Sequence, residues 1–215
     1  MLFDVDGTLL LTHDEAYVEA SRLALEAVFG TYADGPDLPG DTAPAHIRRV
    51  LRAANVPEAK IDEGLPRWCE RFSAEYVRLL GDADTSHWEC GPFAFEAVAA
   101  VEHRALLTGN PPAVAHARMQ RLGLDELFPQ GQGAFGCERE GRSELFDLAR
   151  ARAGNWPRER TVAVGDTPID VSSAHNAGCR CIGVTTGNYG CEELAGADAV
   201  IADLSALEET LAALS

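Results

Sequence analysis

The chain has 215 residues, 46% of them hydrophobic, and this length predicts one or two globular domains with a buried core. Its 34 acidic and 18 basic residues give a formal net charge of -16, which argues against nucleic acid and anionic membranes as partners. No apolar run approaches the roughly 18 residues that span a bilayer. The N-terminus also lacks the basic and apolar regions of a signal peptide. A cytoplasmic protein is therefore expected.

The six cysteines are expected to be reduced thiols in that compartment. Three of them, Cys179, Cys181 and Cys191, lie close together in sequence, but the paired C-x2-C spacing of a zinc site is missing. The pattern favours small apolar side chains packed around a strand over a metal site.

The chain begins with the continuous apolar run MLFDV, which predicts a strand buried in the middle of a sheet. Residues 12–84 then show three helical patterns with no clear strand between them. The patterns are DEAYVEASRLALEAVFG, APAHIRRVLRAANV and LPRWCERFSAEYVRLLG, and a Gly- and Pro-rich loop over 30–42 joins the first two. We call this predicted helical insert, residues 12–84, the cap, and the remaining residues, 1–11 and 85–215, the core.

From residue 104 onward the chain alternates short apolar runs with helix-length amphipathic segments. Strands separated by helices in this rhythm are typical of βαβ units, in which the strands lie parallel. The predicted strands are RALLT (104–108), GAFG (133–136), TVAVG (161–165), RCIGV (180–184) and DAVIA (198–202). With MLFDV they predict a doubly wound, parallel, Rossmann-like α/β sheet core into which the α-helical cap is inserted.

Acidic and hydroxyl side chains stand where three predicted strands end. Asp4 and Asp6 come after the first strand, Thr108 ends RALLT, and Asp166 and Asp170 follow TVAVG. Ligands of open α/β sheets bind at the carboxyl ends of the strands. A hard divalent cation such as Mg²⁺ takes oxygen ligands and would offset the repulsion between the carboxylates. The sequence therefore predicts Mg²⁺ as the cofactor.

An anion site is predicted beside this cation. A helix beginning at Asn110-Pro111 would present backbone N–H groups and the positive end of its dipole, and Thr108 adds a hydroxyl. Taken alone, some of these pieces have simpler interpretations, because Asp6-Gly7 is a common turn dipeptide and Thr167 to Asp170 fits a capping box. A carboxylate cluster and an anion site together indicate phosphoryl chemistry.

Four motifs in this order resemble the haloacid dehalogenase superfamily, specifically its phosphoglycolate-phosphatase-like members with a helical cap after the first strand. They are DVDGTL (4–9), LLTGN (106–110), a basic residue within EREGRSELFDLA (138–149), and GDTPID (165–170). The resemblance covers nearly the whole chain. It implies a magnesium-dependent phosphatase that hydrolyses a small phosphomonoester, a phosphorylated metabolite, through an aspartyl-phosphate.

The resemblance also implies roles for single residues. Asp4 corresponds to the nucleophile and Asp6 to the general acid/base. Thr108, with Gly109 and Asn110, corresponds to the phosphoryl-binding position. The implied metal ligands are Asp4, the backbone carbonyl of Asp6, Asp166 and Asp170.

The third motif departs from the family pattern, which usually carries a lysine. This chain has Arg142 there, and its only lysine is Lys60, within the cap. Arg142 offers a permanent charge and a planar fork suited to phosphate, so it is predicted to bind the phosphoryl group and assist catalysis. Arg139 is the alternative for this role.

Other members of the superfamily are weighed against the phosphatase. Dehalogenases lack the second carboxylate that Asp6 supplies, and phosphonate hydrolases need a cap lysine, whereas Lys60 is predicted to lie in an exposed loop. A sugar phosphomutase, and a catalytically silent binding module of the same fold, stay open. His46, Arg48 and Arg49 are candidates to select the leaving group, although surface positions on a helix are the simpler expectation.

Overall fold

A computed structural model of the protein describes residues 1–31 and 38–214. Its core is built on a six-stranded sheet in which every neighbouring pair of strands is parallel. The strands are β1 (Leu2–Phe3), β2 (Ala105–Thr108), β3 (Ala134–Phe135), β4 (Val162–Gly165), β5 (Arg180–Val184) and β6 (Ala199–Ile201). All six predicted strands are present. The order β3-β2-β1-β4-β5-β6 places β1 in the interior of the sheet, as predicted.

Three helices follow β1 in the chain: α1 (Glu15–Phe29), α2 (Ala43–Ala53) and α3 (Glu58–Asp82). The side chain of Asp14 accepts a hydrogen bond from the backbone N–H of Tyr17 and so caps α1, whereas Gly30 ends it with a φ of 68°. Thr42 caps α2 in the same way. Residues 32–37 of the predicted loop lie outside the described part of the chain.

Helix α3 begins at Glu58, seven residues before the predicted pattern, and contains Pro66 in its interior. Proline there removes one backbone hydrogen bond. The buried stripe Ile61, Leu65, Trp68 and Phe72 has helical spacing and packs into the hydrophobic cluster of the cap helices, which favours the longer helix. Lys60 is exposed as predicted, but it lies on this helix and not in a loop.

The helices of the core lie on both faces of the sheet. They are α4 (Ala94–Ala100), α5 (Pro112–Leu122), α6 (Arg142–Arg152), α7 (Pro168–Asn176) and α8 (Leu207–Leu214). Neighbouring residues of β1 point to opposite faces, since Phe3 belongs to one hydrophobic cluster and Leu2 to the other. The doubly wound, Rossmann-like α/β fold is therefore confirmed, with α4 as an element that the sequence patterns missed. The boundaries between cap and core at residues 11/12 and 84/85 stay a prediction.

The expectation of six reduced thiols is wrong for one pair, because Cys69 of α3 forms a disulfide with Cys137. Cys137 lies in a short 3₁₀ helix after β3, so the bond links the predicted cap to the core. The two residues are 68 positions apart in sequence, but packing brings their Cα atoms to 6.0 Å, within the usual range for a disulfide. Cys179 and Cys181 are buried in the core as predicted, whereas Cys191 is exposed.

None of the helices in residues 1–31 and 38–214 combines the length and apolarity needed to cross a bilayer.

Candidate active site

The carboxyl ends of β2, β1 and β4 lie side by side in the sheet and carry the predicted polar residues. Thr108 is the last residue of β2, Asp4 follows β1 directly, and Asp166 follows β4. All three side chains are buried, with Asp4 5% and Asp166 4% exposed. The sheet order therefore brings Asp4 to the same edge as Thr108 and Asp166, although both lie more than a hundred residues away from it in sequence.

Three carboxylates meet at this edge: Asp4, Asp166 and Asp170 each offer an oxygen within 4.8 Å of the others. Burial raises the pKa of Asp4 well above its usual range, and neighbouring Asp170 and Asp166 raise it further against the opposing effect of Arg142. Burial and the charge of Asp170 also raise the pKa of Asp166, to about 7. Such a cluster is costly unless a positive charge offsets it.

The surroundings of Asp166 fit a bound cation. Its Oδ1 is buried and has no hydrogen-bond partner among the described residues. Gly7, with a φ of 75°, and Gly187 lie against the same carboxylate, and a Cβ at either position would overlap it. Asp170 differs, because its Oδ2 accepts hydrogen bonds from the Thr167 N–H (3.0 Å) and hydroxyl (2.6 Å) in a capping box. Asp166 is thus the carboxylate with an unpartnered oxygen.

Arg142 occupies the position next to the predicted nucleophile. Its Nη2 donates to Asp4 Oδ1 at 2.8 Å and also to Asp170 Oδ1, and the side chain is buried. Although burial opposes the charge, the two carboxylates raise the pKa of the guanidinium. Its Nε–H has no hydrogen-bond partner among the described residues. Arg139, by contrast, is exposed and donates to the carbonyl of Glu138.

Asn110 connects the second motif to Asp6. Its Nδ2 donates to Asp6 Oδ2 at 2.5 Å and to Thr108 Oγ1 at 2.9 Å, while its backbone N–H also points to Thr108 Oγ1, at 3.2 Å. The sequence predicted a helix that begins at Asn110-Pro111. In the structure, α5 begins at Pro112, with Pro111 as its N-cap. Two prolines lack N–H groups, so this helix end offers fewer donors to an anion than the sequence analysis assumed.

Arg118 is a residue that the sequence analysis missed. It is 2% exposed, and its Nη1 donates to Asp6 Oδ1 at 2.7 Å while its Nη2 donates to Asp14 Oδ2 at 2.9 Å. The hydroxyl of Tyr76 donates to the same Asp14 oxygen at 2.7 Å, and the guanidinium stacks 4.6 Å from the Tyr17 ring centroid. Its position on the apolar stripe of α5 was the available signal, since an arginine there must be paired.

A cavity of about 690 Å³ opens above these groups, with core residues on one side and α1, α2 and Trp68 of α3 on the other. The predicted site residues that line it are Asp4, Asp6, Thr108, Gly109, Asn110, Arg142 and Asp166. Asp170 lies behind them. Of the three candidate selectors, His46 lines the cavity, whereas Arg48 is held by Glu140 and Asp62 and Arg49 pairs with Asp41 at 2.6 Å.

The model of the haloacid dehalogenase-like hydrolases matches residues 1–178 of this chain. The chain belongs to that family. The predicted family is thereby confirmed, and with it a hydrolase whose relatives generally depend on a metal.

Among curated relatives, a phosphoglycolate phosphatase of Agrobacterium fabrum is 28% identical over 98% of this chain and 91% of its own length. A phosphoglycolate phosphatase of Pasteurella multocida is 26% identical over 87% of this chain and 86% of its own length.

Solved structures show the same fold. CbbY from Rhodobacter sphaeroides in complex with phosphate superposes on this hydrolase with a TM-score of 0.67 at 26% identity, covering 96% of this chain and 94% of its own. A β-phosphoglucomutase from Clostridium difficile gives a TM-score of 0.71 at 18% identity over 99% and 96% of the two chains.

Proposed function

We propose that this hydrolase is a magnesium-dependent phosphatase, which hydrolyses a small phosphomonoester through a phosphoryl group carried on Asp4. The observation that supports it most is the setting of Asp4, a buried carboxylate held between the Arg142 guanidinium and the unpartnered oxygen of Asp166. The names of the curated relatives, all phosphoglycolate phosphatases, agree with this class of reaction.

The reaction proceeds in two displacements. A carboxylate oxygen of Asp4 attacks phosphorus, the bond from phosphorus to the ester oxygen breaks, and Asp6 gives its proton to the leaving alcohol. Asp6 then accepts a proton from water as the water oxygen attacks phosphorus. Inorganic phosphate leaves and Asp4 is regenerated. Asn110 and Arg118 contact both Asp6 oxygens and orient the carboxylate for these transfers.

The phosphoryl oxygens would be bound by Arg142, Thr108 and the Gly109 loop, with Asn110 as their link to Asp6. Mg²⁺ suits the all-oxygen set offered by Asp4, the Asp6 carbonyl and Asp166, with Asp170 holding Arg142 and the start of α7. When bound, Mg²⁺ supplies positive charge that stabilises the phosphoryl group in the transition state.

The test is the release of inorganic phosphate and of 4-nitrophenol from 4-nitrophenyl phosphate, with and without Mg²⁺. We expect turnover that requires the metal and that fails in Asp4→Asn. In parallel, a sugar 1-phosphate is followed for conversion to the 6-phosphate without phosphate release, the product of a phosphomutase. Absence of turnover of any ester at saturating Mg²⁺ would overturn the proposal in favour of a binding module, and isomerisation without release would favour the mutase.

A further inference from the structure

The arginines that line the cavity are already paired with carboxylates of this chain. They are Arg22, Arg118 and Arg142, and their partners are Glu19 and Glu26, Asp6 and Asp14, and Asp4 and Asp170, respectively. The single lysine of the chain, Lys60, is not among the lining residues and donates to the Phe29 carbonyl, and residues 32–37 include no basic residue. A second negative charge on a substrate would therefore meet no unpaired arginine or lysine among the described residues.

The remaining charges in the cavity do not favour such a group either. Asp14 and Asp41 at the cap side are paired with Arg118 and Arg49, so neither pair leaves a free positive charge there. His46 accepts a hydrogen bond at Nδ1 from Arg49 Nη2 at 3.3 Å, since a guanidinium can only donate, and His13 is exposed. The carboxylate of a two-carbon acid phosphate would thus meet no unpaired arginine or lysine among the described residues, and His13 would be its neighbour at the cap side.

Part of the wall that the cap presents is apolar, beside polar residues such as Thr12, His13 and Ser21. Val18 and Leu38 line the cavity and are 48% and 47% exposed, so both leave apolar surface open to a ligand. Deeper in the cap, the cavity is bounded by Leu25, Ile47, Val50 and Trp68, each almost fully buried. Apolar side chains on one part of a site wall provide contacts for the apolar portion of a ligand.

One buried donor on this wall has no acceptor. Trp68 is 1% exposed and stacks on Phe72 with ring centroids 4.9 Å apart, but its Nε1–H has no hydrogen-bond partner among the described residues. An indole N–H can only donate, and leaving it unsatisfied in a protein interior is unfavourable. A ligand with a hydrogen-bond acceptor beyond its apolar portion would satisfy it.

We infer that the substrate is a phosphomonoester whose uncharged leaving alcohol has an apolar portion and carries a hydrogen-bond acceptor for Trp68. The inference rests on the proposed phosphatase function and names its substrate class. The cavity of about 690 Å³ has room for an alcohol well beyond two carbons. Residues of the core then bind the phosphoryl group, and apolar residues of the cap contact the alcohol.

Four synthetic esters of similar alcohol basicity test the inference: phosphoglycolate, ethyl phosphate, benzyl phosphate and pyridylmethyl phosphate. Phosphoglycolate and ethyl phosphate differ by a carboxylate in place of a methyl group, and we expect ethyl phosphate to have the higher kcat/KM at saturating Mg²⁺. The kcat/KM for benzyl phosphate should be about tenfold or more above that for ethyl phosphate, because the benzyl ring contacts the apolar part of the cavity wall. Pyridylmethyl phosphate adds a hydrogen-bond acceptor, so its kcat/KM should be higher than that of benzyl phosphate.

Two valines on cap helices provide a matched pair of variants. Val18 of α1 and Val77 of α3 are each 48% exposed, but Val18 lines the cavity and Val77 does not. Val18→Asp should lower the ratio of kcat/KM for benzyl over ethyl phosphate by about tenfold, whereas Val77→Asp should leave that ratio as in the wild type. Trp68→Phe keeps an aromatic side chain but removes the N–H and part of the buried indole, so it should abolish the preference for the pyridylmethyl ester, and thermal unfolding measures the stability lost with the smaller ring.

A kcat/KM for phosphoglycolate above those of the neutral esters would overturn this inference while leaving the phosphatase proposal intact. Equal changes of the ratio in Val18→Asp and Val77→Asp would overturn it as well. Failure of the wild type to hydrolyse any of the four esters or 4-nitrophenyl phosphate would instead overturn the proposed function, and the inference with it.

Discussion

The two sides of the cavity differ in the kind of interaction that they offer. On the core side, Asp4 and Asp166 are buried at the ends of β1 and β4, and Arg142 is buried at the start of α6. On the cap side, residues such as Val18 and Trp68 present apolar surface on helices that pack mainly against one another. Charges that must meet at fixed distances need a rigid sheet edge, whereas a surface that accommodates one alcohol needs only shape and apolarity. We propose that the core side carries the reaction and that the cap side selects the alcohol.

Among substitutions on the core side, we expect Asp4→Asn to cause the largest loss of activity. The nearly isosteric change removes the nucleophile, and we expect kcat to fall by at least about a thousandfold. It also removes one charge from the repulsive cluster, so thermal unfolding without Mg²⁺ should occur at the same or a higher temperature. Asp82→Asn, at an exposed position on the cap, is the control and should retain wild-type kcat. Full activity in the Asp4 variant would refute the nucleophile assignment.

Arg118 of α5 pairs with Asp14, which precedes α1, and its removal tests how much this ion pair contributes to the stability of the protein. Arg118→Met would leave Asp14 buried, 4% of its side chain exposed, without a counter-charge. Breaking a buried ion pair in this way costs about 3–5 kcal/mol, which urea unfolding would measure. Arg78→Met is the control, because this arginine is 59% exposed and its partner Glu75 keeps a second ion pair, with Arg71. Equal stability of the two variants would contradict the importance of the buried pair.

The Cys69–Cys137 disulfide is a covalent bond between the cap and the core. Replacing both Cys69 and Cys137 by alanine should lower the free energy of unfolding by about 2–4 kcal/mol, because the unfolded chain gains freedom. Reductant should lower the stability of the wild type by a similar amount and leave the double variant unchanged. Cys191→Ala, at an exposed free thiol, is the control. Six titratable thiols in the non-reduced wild type would show that the bond does not form.

Arg142 tests how specific the charge arrangement on the core side must be. Arg142→Ala removes a charged hydrogen bond to Asp4, which corresponds to a loss of roughly ten- to a hundredfold in kcat/KM. Arg142→Lys should retain part of the activity, since a lysine keeps the charge. Arg139→Ala should behave as the wild type, because Arg139 is exposed. If Arg139→Ala were the inactive variant, the third motif would be misaligned by one helical turn.

The raised pKa of Asp166 gives a smaller, graded effect of pH. A carboxyl with a folded-state pKa of about 7 keeps its proton while the unfolded state loses one near pH 4, so its contribution to stability falls between those values as pH rises. Mg²⁺ must displace the protons held by Asp166 and Asp4, so its apparent affinity should rise with pH across this range. Asp166→Ala should bind Mg²⁺ more weakly and with a shallower pH dependence, since Asp4 still titrates. A pH-independent affinity in the wild type would contradict the assignment.

The strand ends on the core side could be predicted because motif and topology agree there. Once β1, β2 and β4 are recognised as parallel strands, Asp4, Thr108 and Asp166 must meet at one edge. Arg142 could be predicted as a site residue from the third motif, although its partners Asp4 and Asp170 lie far away in sequence.

The cap could not be predicted to the same depth, because its contacts depend on packing between helices. The partner of Cys69, and the Trp68 N–H that has no partner among the described residues, follow from tertiary contacts with no local pattern. Arg118 is the intermediate case, since its position on an apolar stripe was visible but its partner Asp14 lies 104 residues away.

The central claim is that the phosphoryl group passes through Asp4, and it can be tested by chemical trapping. Asp6→Asn slows hydrolysis of the intermediate, and 4-nitrophenyl phosphate has a leaving group that needs no acid, so the acyl phosphate should accumulate at saturating Mg²⁺. Borohydride reduces an acyl phosphate to the alcohol, which converts the aspartate into homoserine. Mass spectrometry of the N-terminal peptide should find homoserine at position 4, dependent on both substrate and Mg²⁺. Homoserine at another position, or none while a burst of 4-nitrophenol is released, would contradict the account.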